Sequence, residues 1–213
     1  MSAIADLSFT AFGQQVKVAD MVGNLIGLAG LAYGWRRSVL TWPAQLLAGA
    51  VLIGAFLGAQ MPGLIGKQVI VIVTAVWGWT QWNRGRRDTG EIEVRFAGWK
   101  QRAVLILATA VGTAAVAALF NAFPQLSWNP LLDAYIFVGT LAAMYAQARG
   151  WVEFWFAWIA VDVISVPYSY AHGYVFSALT YTIYFVLVLA GLTSWWTKAR
   201  TVRTTLPAEG VAA

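Results

Sequence analysis

The sequence predicts an all-α integral membrane protein with seven transmembrane helices in a 3+1+3 arrangement, in which a linker helix joins two parallel three-helix repeats. Three observations predict this fold: the composition, the placement of basic residues and an internal repeat. Of the 213 residues, 60% are hydrophobic and 11% are charged, and the mean hydropathy is +0.65. Soluble domains carry about 25% charged residues, so the chain is expected to lie in a lipid bilayer.

The composition also argues against several classes of function. The chain has no cysteine and one histidine, which excludes thiolate and His-rich metal sites. No phosphate loop, nucleophile elbow or zinc motif is present, so neither a cofactor nor an enzymatic activity is expected. The first 19 residues have no basic segment leading into an apolar run, so no cleavable signal peptide is predicted.

Seven apolar segments follow a short N-terminal tail or interfacial turn, and each approaches the length of about 20 residues that spans hydrocarbon. They lie near residues 20–35, 39–60, 63–82, 103–123, 130–148, 151–170 and 174–196. Tight turns are expected at Pro62-Gly63 and His172-Gly173. The polar residues from 83 are read as a cytoplasmic loop before the linker helix that ends at 123, and 197–213 as a cytoplasmic polar tail.

The basic residues support seven spans, because alternating loops then place twelve on one side and only Lys17 and Lys67 on the other. The twelve are Arg36, Arg37, Arg84, Arg86, Arg87, Arg95, Lys100, Arg102, Arg149, Lys198, Arg200 and Arg203. Basic residues concentrate on the cytoplasmic side of membrane proteins. We therefore expect a multi-pass protein of the plasma (inner) membrane, with the N-terminus outside and the C-terminus in the cytoplasm. Because these residues follow topology, no nucleic-acid partner is expected.

An internal repeat relates the first three segments (20–82) to the last three (130–196) at a constant offset of 113 residues. The matched pairs are Asp20 and Asp133, Arg36 and Arg149, Trp42 and Trp155, Ala44 and Ala157, Gly78 and Gly191, Thr80 and Thr193, and Trp82 and Trp195. A three-helix unit reverses orientation when repeated, and one extra helix restores a parallel arrangement. Parallel repeats are typical of transporters that bind a solute near the membrane midplane.

The strongest site candidates are Trp155, Trp158 and Asp162, which share one face of a helix at i, i+3 and i+7. A carboxyl group at this depth is costly unless it faces a partner or a cavity. Two flat rings beside a buried acceptor predict a pocket for a flat, hydrogen-bonding solute. The alternative is that the indoles fill space between helices and Asp162 bonds a neighbouring helix.

The chain resembles the PnuC-type vitamin transporters over about residues 20–197. The resemblance is carried by WGWTQW at 77–82, Gln68, WFAW at 155–158 and GYVFSALTYTIYFVLVLAGLTSWW at 173–196. It implies a facilitator in the lipid bilayer whose vitamin substrate is trapped inside by phosphorylation. It also implies a homotrimer as one form of assembly.

Asp162 bears on the substrate, because nicotinamide riboside carriers of this family have Asn four residues after the second Trp of WxxW. A carboxylate only accepts hydrogen bonds, which suits the ribityl hydroxyls of riboflavin, and indoles suit its ring system. The resemblance therefore favours the riboflavin branch (PnuX, also called RibM). Nicotinamide riboside and cationic thiamine stay open, as does a membrane subunit of a multi-component uptake system.

Five further polar residues complete the predicted substrate site. Gln68 lies at the family's glutamine position, Tyr181 is its repeat equivalent, and Tyr184 lies one turn further along. Gln45 is the repeat equivalent of Trp158, and Asn24 is a polar residue within the first helix. Buried amides also tie helices together, which is the alternative for each. Interfacial aromatic belts are expected at Trp79, Trp82, Trp195 and Trp196.

Overall fold

The computed structural model describes residues 7–58, 62–89, 92–127, 129–171 and 175–205. Within them the chain forms seven α-helices and a 3₁₀ turn at Pro124–Leu126. The helices are α1 (Val18–Trp35), α2 (Thr41–Gly58), α3 (Pro62–Thr89), α4 (Trp99–Ala122), α5 (Pro130–Ala148), α6 (Glu153–Ala171) and α7 (Val175–Thr205). Each predicted apolar segment overlaps one helix, so the prediction of a helical fold is confirmed.

Among the described residues, three helical stretches are long and apolar enough to cross a membrane: Trp99–Ala122, Pro130–Ala148 and Ala178–Thr201. Met21–Trp35 and Thr41–Gly54 are shorter apolar stretches. The length and composition of these stretches support the membrane character of the chain, while the count of seven spans stays a prediction.

The N-terminal residues differ from the expected tail or turn. Strand β1 (Ser8–Ala11) pairs antiparallel with β2 (Gln14–Lys17), and the turn between them has positive φ at Phe12 and Gly13. Gly13 adopts this conformation without steric cost. Four-residue strands are too short for alternation to be recognised in the sequence, which is why the hairpin was not predicted.

Two helices continue beyond the predicted ends of their apolar segments: α3 reaches Thr89 rather than 82, and α7 reaches Thr205 rather than 196. Hydropathy reports where a helix leaves the hydrocarbon, whereas the backbone hydrogen bonds continue into polar residues. The predicted loop is correspondingly short, since α4 already begins at Trp99. The predicted turn at His172-Gly173 lies outside the described residues, as do residues 206–213 of the tail.

The helices pack as two groups of three with α4 beside the second. In the first group α1 packs on α2 and α2 on α3; in the second group α5 packs on α6 and α6 on α7. Helix α4 contacts α5. The groups meet through α3 with α5 and through α1 with α7. The 113-residue offset relates α1 to α5 and α3 to α7, so these two contacts are equivalent in the repeat.

The turns that follow α1 and α5 have the same geometry at equivalent positions. Arg37 and Gly150 both have positive φ, at 56° and 66°. In each turn the next amide, of Ser38 or Trp151, donates to the carbonyl five residues earlier at 2.9 Å. The offset seen in the sequence therefore recurs in the backbone.

Within the buried core, each group contains an indole that packs against a glycine. Trp42 lies against Gly78 and Trp155 against Gly191, and a Cβ atom at either glycine would overlap the ring. Both indoles are fully buried. The glycines therefore allow α2 to approach α3, and α6 to approach α7, closely enough for the rings to fill the interface.

Trp82 and Trp195 connect these two indole–glycine contacts. The Trp42–Trp82 and Trp155–Trp195 pairs are both edge-to-face, with centroids at 5.4 and 5.7 Å, and Trp82 and Trp195 lie 6.4 Å apart. Only 2% and 1% of their surfaces are exposed, so the predicted interfacial belt is wrong for these two. The prediction assumed that helices α3 and α7 end nearby, whereas both continue.

Candidate functional site

Asp162 is a buried acidic residue in the middle of apolar helix α6. It is 4% exposed, and its Oδ2 atom has no hydrogen-bond donor among the described residues. Buried polar atoms in proteins are almost always hydrogen-bonded. An acceptor that the surrounding side chains leave unused is the feature expected of a ligand contact.

Helices α1 and α7 bring further polar groups to Asp162. The Tyr184 hydroxyl donates to the Asn24 backbone carbonyl at 2.7 Å, and Asp162 and Tyr181 both lie close enough to interact electrostatically with Tyr184. Gly27 makes room, since a Cβ there would lie 2.5 Å from the Tyr184 hydroxyl. We call Asn24, Asp162, Tyr181 and Tyr184 the polar cluster; all four were predicted from the sequence.

Gln45 belongs to a second set of polar groups between the two helix groups. Its Nε2 donates to Gln147 Oε1 at 3.2 Å, Gln147 Nε2 donates to Thr41 Oγ1 at 3.2 Å, and Thr41 donates to the Gly30 carbonyl at 2.7 Å. Gln147 is fully buried, and Gln45 Oε1 has no donor among the described residues. Gln45 therefore joins an interhelical network and keeps one acceptor unused.

Sequence reasoning missed Gln147. The available signal was an amide inside the apolar segment 130–148, but its repeat equivalent is Gly34, so the repeat drew no attention to it. In the structure a Cβ at Gly34 would lie 2.8 Å from Gln147 Nε2. The Trp82 indole also donates to the Gln147 carbonyl at 2.8 Å. Residues 34 and 147 are equivalent in the repeat, and they face each other between the groups. The same is true of residues 82 and 195.

Gln68 lies within the first group. Its Nε2 would be 3.0 Å from a Cβ at Gly49, so the amide reaches across from α3 to α2. At the offset of 113, Gln68 corresponds to Tyr181 and Gly49 to Asp162. Gln68 therefore occupies the position in the first group that Tyr181 occupies in the second.

The two predicted stacking residues differ in accessibility. Trp158 is half-buried at the edge of the core, whereas Trp155 is 0% exposed and packed between Gly191 and Trp195. Trp158 can present part of its ring to a solute in this conformation. Stacking by Trp155 stays a prediction that requires its contact with Gly191 to open.

None of the eight predicted residues lines either of two large grooves of about 450 and 480 Å³ that flank α4. The polar cluster and the Gln45 network lie elsewhere. In these two sets Thr41, Gln147 and Asp162 are buried, while Asn24, Gln45, Tyr181 and Tyr184 are half-buried. Within the described ranges, no three His, Asp or Glu side chains converge as metal ligands would. The arrangement offers hydrogen bonds and an aromatic face, which suit binding rather than bond cleavage.

Comparisons with known proteins agree with this description. Residues 17–197 match the family described as Nicotinamide mononucleotide transporter. The chain is 55% identical over 195 residues to the riboflavin/roseoflavin transporter RibM of Streptomyces davaonensis, covering 91% of each sequence. It is 22% identical to the nicotinamide riboside transporter PnuC of Escherichia coli, covering 89% of this chain and 90% of that one. A crystal structure of the vitamin B3 transporter PnuC superposes with a TM-score of 0.69 at 16% identity, covering 86% of this chain and 82% of that one.

Proposed function

The chain belongs to the nicotinamide mononucleotide transporter family, and on that premise we propose that it is a riboflavin transporter of the plasma membrane. Uptake proceeds by facilitated diffusion through alternating access, and phosphorylation of the vitamin inside the cell maintains the gradient. The relative at 55% identity, named as a riboflavin/roseoflavin transporter, supports this substrate. Both named relatives are transporters, which favours a carrier over an enzyme.

The observation that carries the proposal is the unused Oδ2 acceptor of Asp162. Riboflavin has a ribityl chain of hydroxyl donors, and a buried acceptor gains most from such donors because water cannot compete. The Tyr184 hydroxyl and the amide of Gln45 supply further hydrogen-bonding groups. In this binding mode Asn24, Gln68 and Tyr181 contact the remaining polar edges.

The isoalloxazine ring lies against Trp158. Offset stacking of aromatic rings contributes about 0.5–1.5 kcal/mol beyond area burial. Trp155 supports Trp158 from within the core and reaches the ring only after its contact with Gly191 opens.

The architecture of the proposed carrier is seven spans in two parallel repeats, 20–82 and 130–196, joined by a linker within 83–123. Support comes from the equivalent turns at Arg37 and Gly150 and from the equivalent contacts between the groups. With the N-terminus outside, the Trp82–Trp195 and Gln45–Gln147 contacts close the cytoplasmic half. Rocking of one group on the other separates them and releases the solute.

Nicotinamide riboside is the second candidate, because the PnuC relatives are named as nicotinamide riboside transporters. Thiamine is a third, since a buried carboxylate would balance its positive charge. A subunit of a multi-component uptake system is less consistent with two complete helix groups. The homotrimer has no support in these observations and stays a prediction. Measuring the mass of the particle in detergent would test it.

The test is a titration of the purified protein with riboflavin, followed by quenching of flavin and tryptophan fluorescence. Saturable quenching that neither nicotinamide riboside nor thiamine relieves is the expected result. Displacement by either competitor, without riboflavin binding, would retain the transport class and overturn the substrate. Riboflavin uptake into liposomes containing only this protein separates a complete carrier from a subunit.

A further inference from the structure

The groove of about 480 Å³ between α4 and α5, which we call the lateral groove, is apolar along its length and basic at one end. Val104, Leu105 and Val138 contribute to its walls, while Lys100 and Arg149 lie at the end beside Trp151. Both basic side chains are exposed. Among the described residues no carboxylate lines this groove, so no acidic side chain in the lining offsets its two basic ones.

Helix α4 presents an apolar surface that requires lipid or another covering. Val104, Ile106 and Leu107 are each at least 65% exposed, and α4 contacts only part of the second group. In a bilayer this surface faces acyl chains, and a groove between two helices holds a chain more firmly than a flat surface does.

The second groove beside α4 provides an internal comparison. Its basic residue, Arg102, is paired with Glu153 at 2.7 Å, and Glu153 also accepts from the Ala97 amide at 2.9 Å. That groove therefore lacks unbalanced charge at its mouth. The two grooves have similar volume and apolar walls, and they differ in charge.

We propose that the lateral groove binds an anionic phospholipid, with the phosphate between Lys100 and Arg149 and one acyl chain along α4 and α5. Basic pockets between membrane helices on the cytoplasmic side suit anionic head groups. The Arg149 guanidinium already lies over the Trp151 ring, 5.9 Å from its centroid, which orients it at the mouth. A second copy of the chain is a poorer occupant, because the predicted topology places twelve of its fourteen basic residues on this side.

The test is native mass spectrometry of the full chain with phosphatidylglycerol or phosphatidylcholine of identical acyl chains. The wild type is expected to retain one phosphatidylglycerol with about fivefold or greater preference over phosphatidylcholine. Lys100→Gln/Arg149→Gln is expected to lose that preference. Arg84→Gln/Arg86→Gln, which removes the same charge from exposed positions on the same side, is the matched control and is expected to keep it.

Ala108→Phe tests the groove without changing charge, because Ala108 is an exposed residue of its wall. We expect lower occupancy by both lipids, with a cooperative unfolding transition in detergent as the check on folding. Equal loss in the Arg84/Arg86 variant, or unchanged binding in Lys100→Gln/Arg149→Gln, would overturn the site. A change in the number of chains per particle with unchanged lipid binding would instead identify the groove as an interface between copies. None of these outcomes depends on riboflavin binding.

Discussion

Asp162 is the residue whose substitution distinguishes a ligand contact from a structural one. In the proposed binding mode, Asp162→Ala leaves a flavin hydroxyl without its acceptor. A buried donor left unsatisfied costs about 1–3 kcal/mol, or roughly 5- to 150-fold in Kd. Because Oδ2 has no donor among the described residues, we expect the unfolding temperature not to fall. Flavin titration and thermal unfolding in detergent measure the two effects.

Ser165→Ala is the control for that variant, since Ser165 lies one turn along α6 and donates to the Val161 carbonyl at 2.9 Å. It removes a buried polar group from the same helix and should leave riboflavin affinity unchanged. An Asp162→Ala protein that unfolds at a lower temperature with unchanged affinity would make Asp162 a structural residue.

The close packing of helices at Gly78 and Gly191 predicts that an added methyl group at either position destabilises the protein. Gly78→Ala and Gly191→Ala place a methyl group against the rings of Trp42 and Trp155, and overpacking of this kind costs about 1–3 kcal/mol. Because the sites are equivalent, both should lower the free energy of unfolding by similar amounts. Denaturant titration in detergent measures this.

Gly54→Ala is the matched control within α2. Nothing lies within 4 Å of a Cβ at this position, so the substitution should raise the free energy of unfolding by about 0.8–1 kcal/mol through helix propensity alone. A similar gain at Gly78 or Gly191 would mean that the indoles do not occupy these interfaces.

The same helices indicate how far sequence reasoning extends. Hydropathy located all seven, because burial in hydrocarbon demands continuous apolar residues. It could not locate the ends of α3 and α7, where polar residues continue the helix, and so it misplaced Trp82 and Trp195. Depth in a membrane can be read from composition, whereas the direction a side chain faces depends on which helix lies beside it.

The candidate site, too, could be predicted from the sequence only in part. The i, i+3, i+7 spacing placed Trp155, Trp158 and Asp162 on one face of α6, and the repeat drew attention to Tyr181 as the equivalent of Gln68. The sequence could not predict that Trp155 faces Gly191, or that Gln147 bonds Gln45 across a separation of 102 residues. Contacts between helices depend on tertiary packing, which no local spacing encodes.

At the scale of the whole molecule, the proposed mechanism requires each three-helix group to move as one body. The chain has no cysteine, so a disulfide can be placed within one group without background. A Cβ at Gly30 would lie 3.4 Å from the Ala44 Cβ, close to the separation of about 3.5–4.5 Å in disulfides. Gly30→Cys/Ala44→Cys therefore joins α1 to α2 inside the first group.

We expect oxidation of this double variant to leave riboflavin uptake into liposomes within about twofold of the reduced protein, because the bond joins helices that already move together. The two single-cysteine variants under the same oxidant control for damage that does not depend on the bond. Uptake that stops on oxidation and returns on reduction would place the transport motion between α1 and α2. The transport motion would then be a rearrangement within the first group rather than a rocking of intact groups. It would occur beside Gln45, whose Oε1 acceptor has no donor among the described residues.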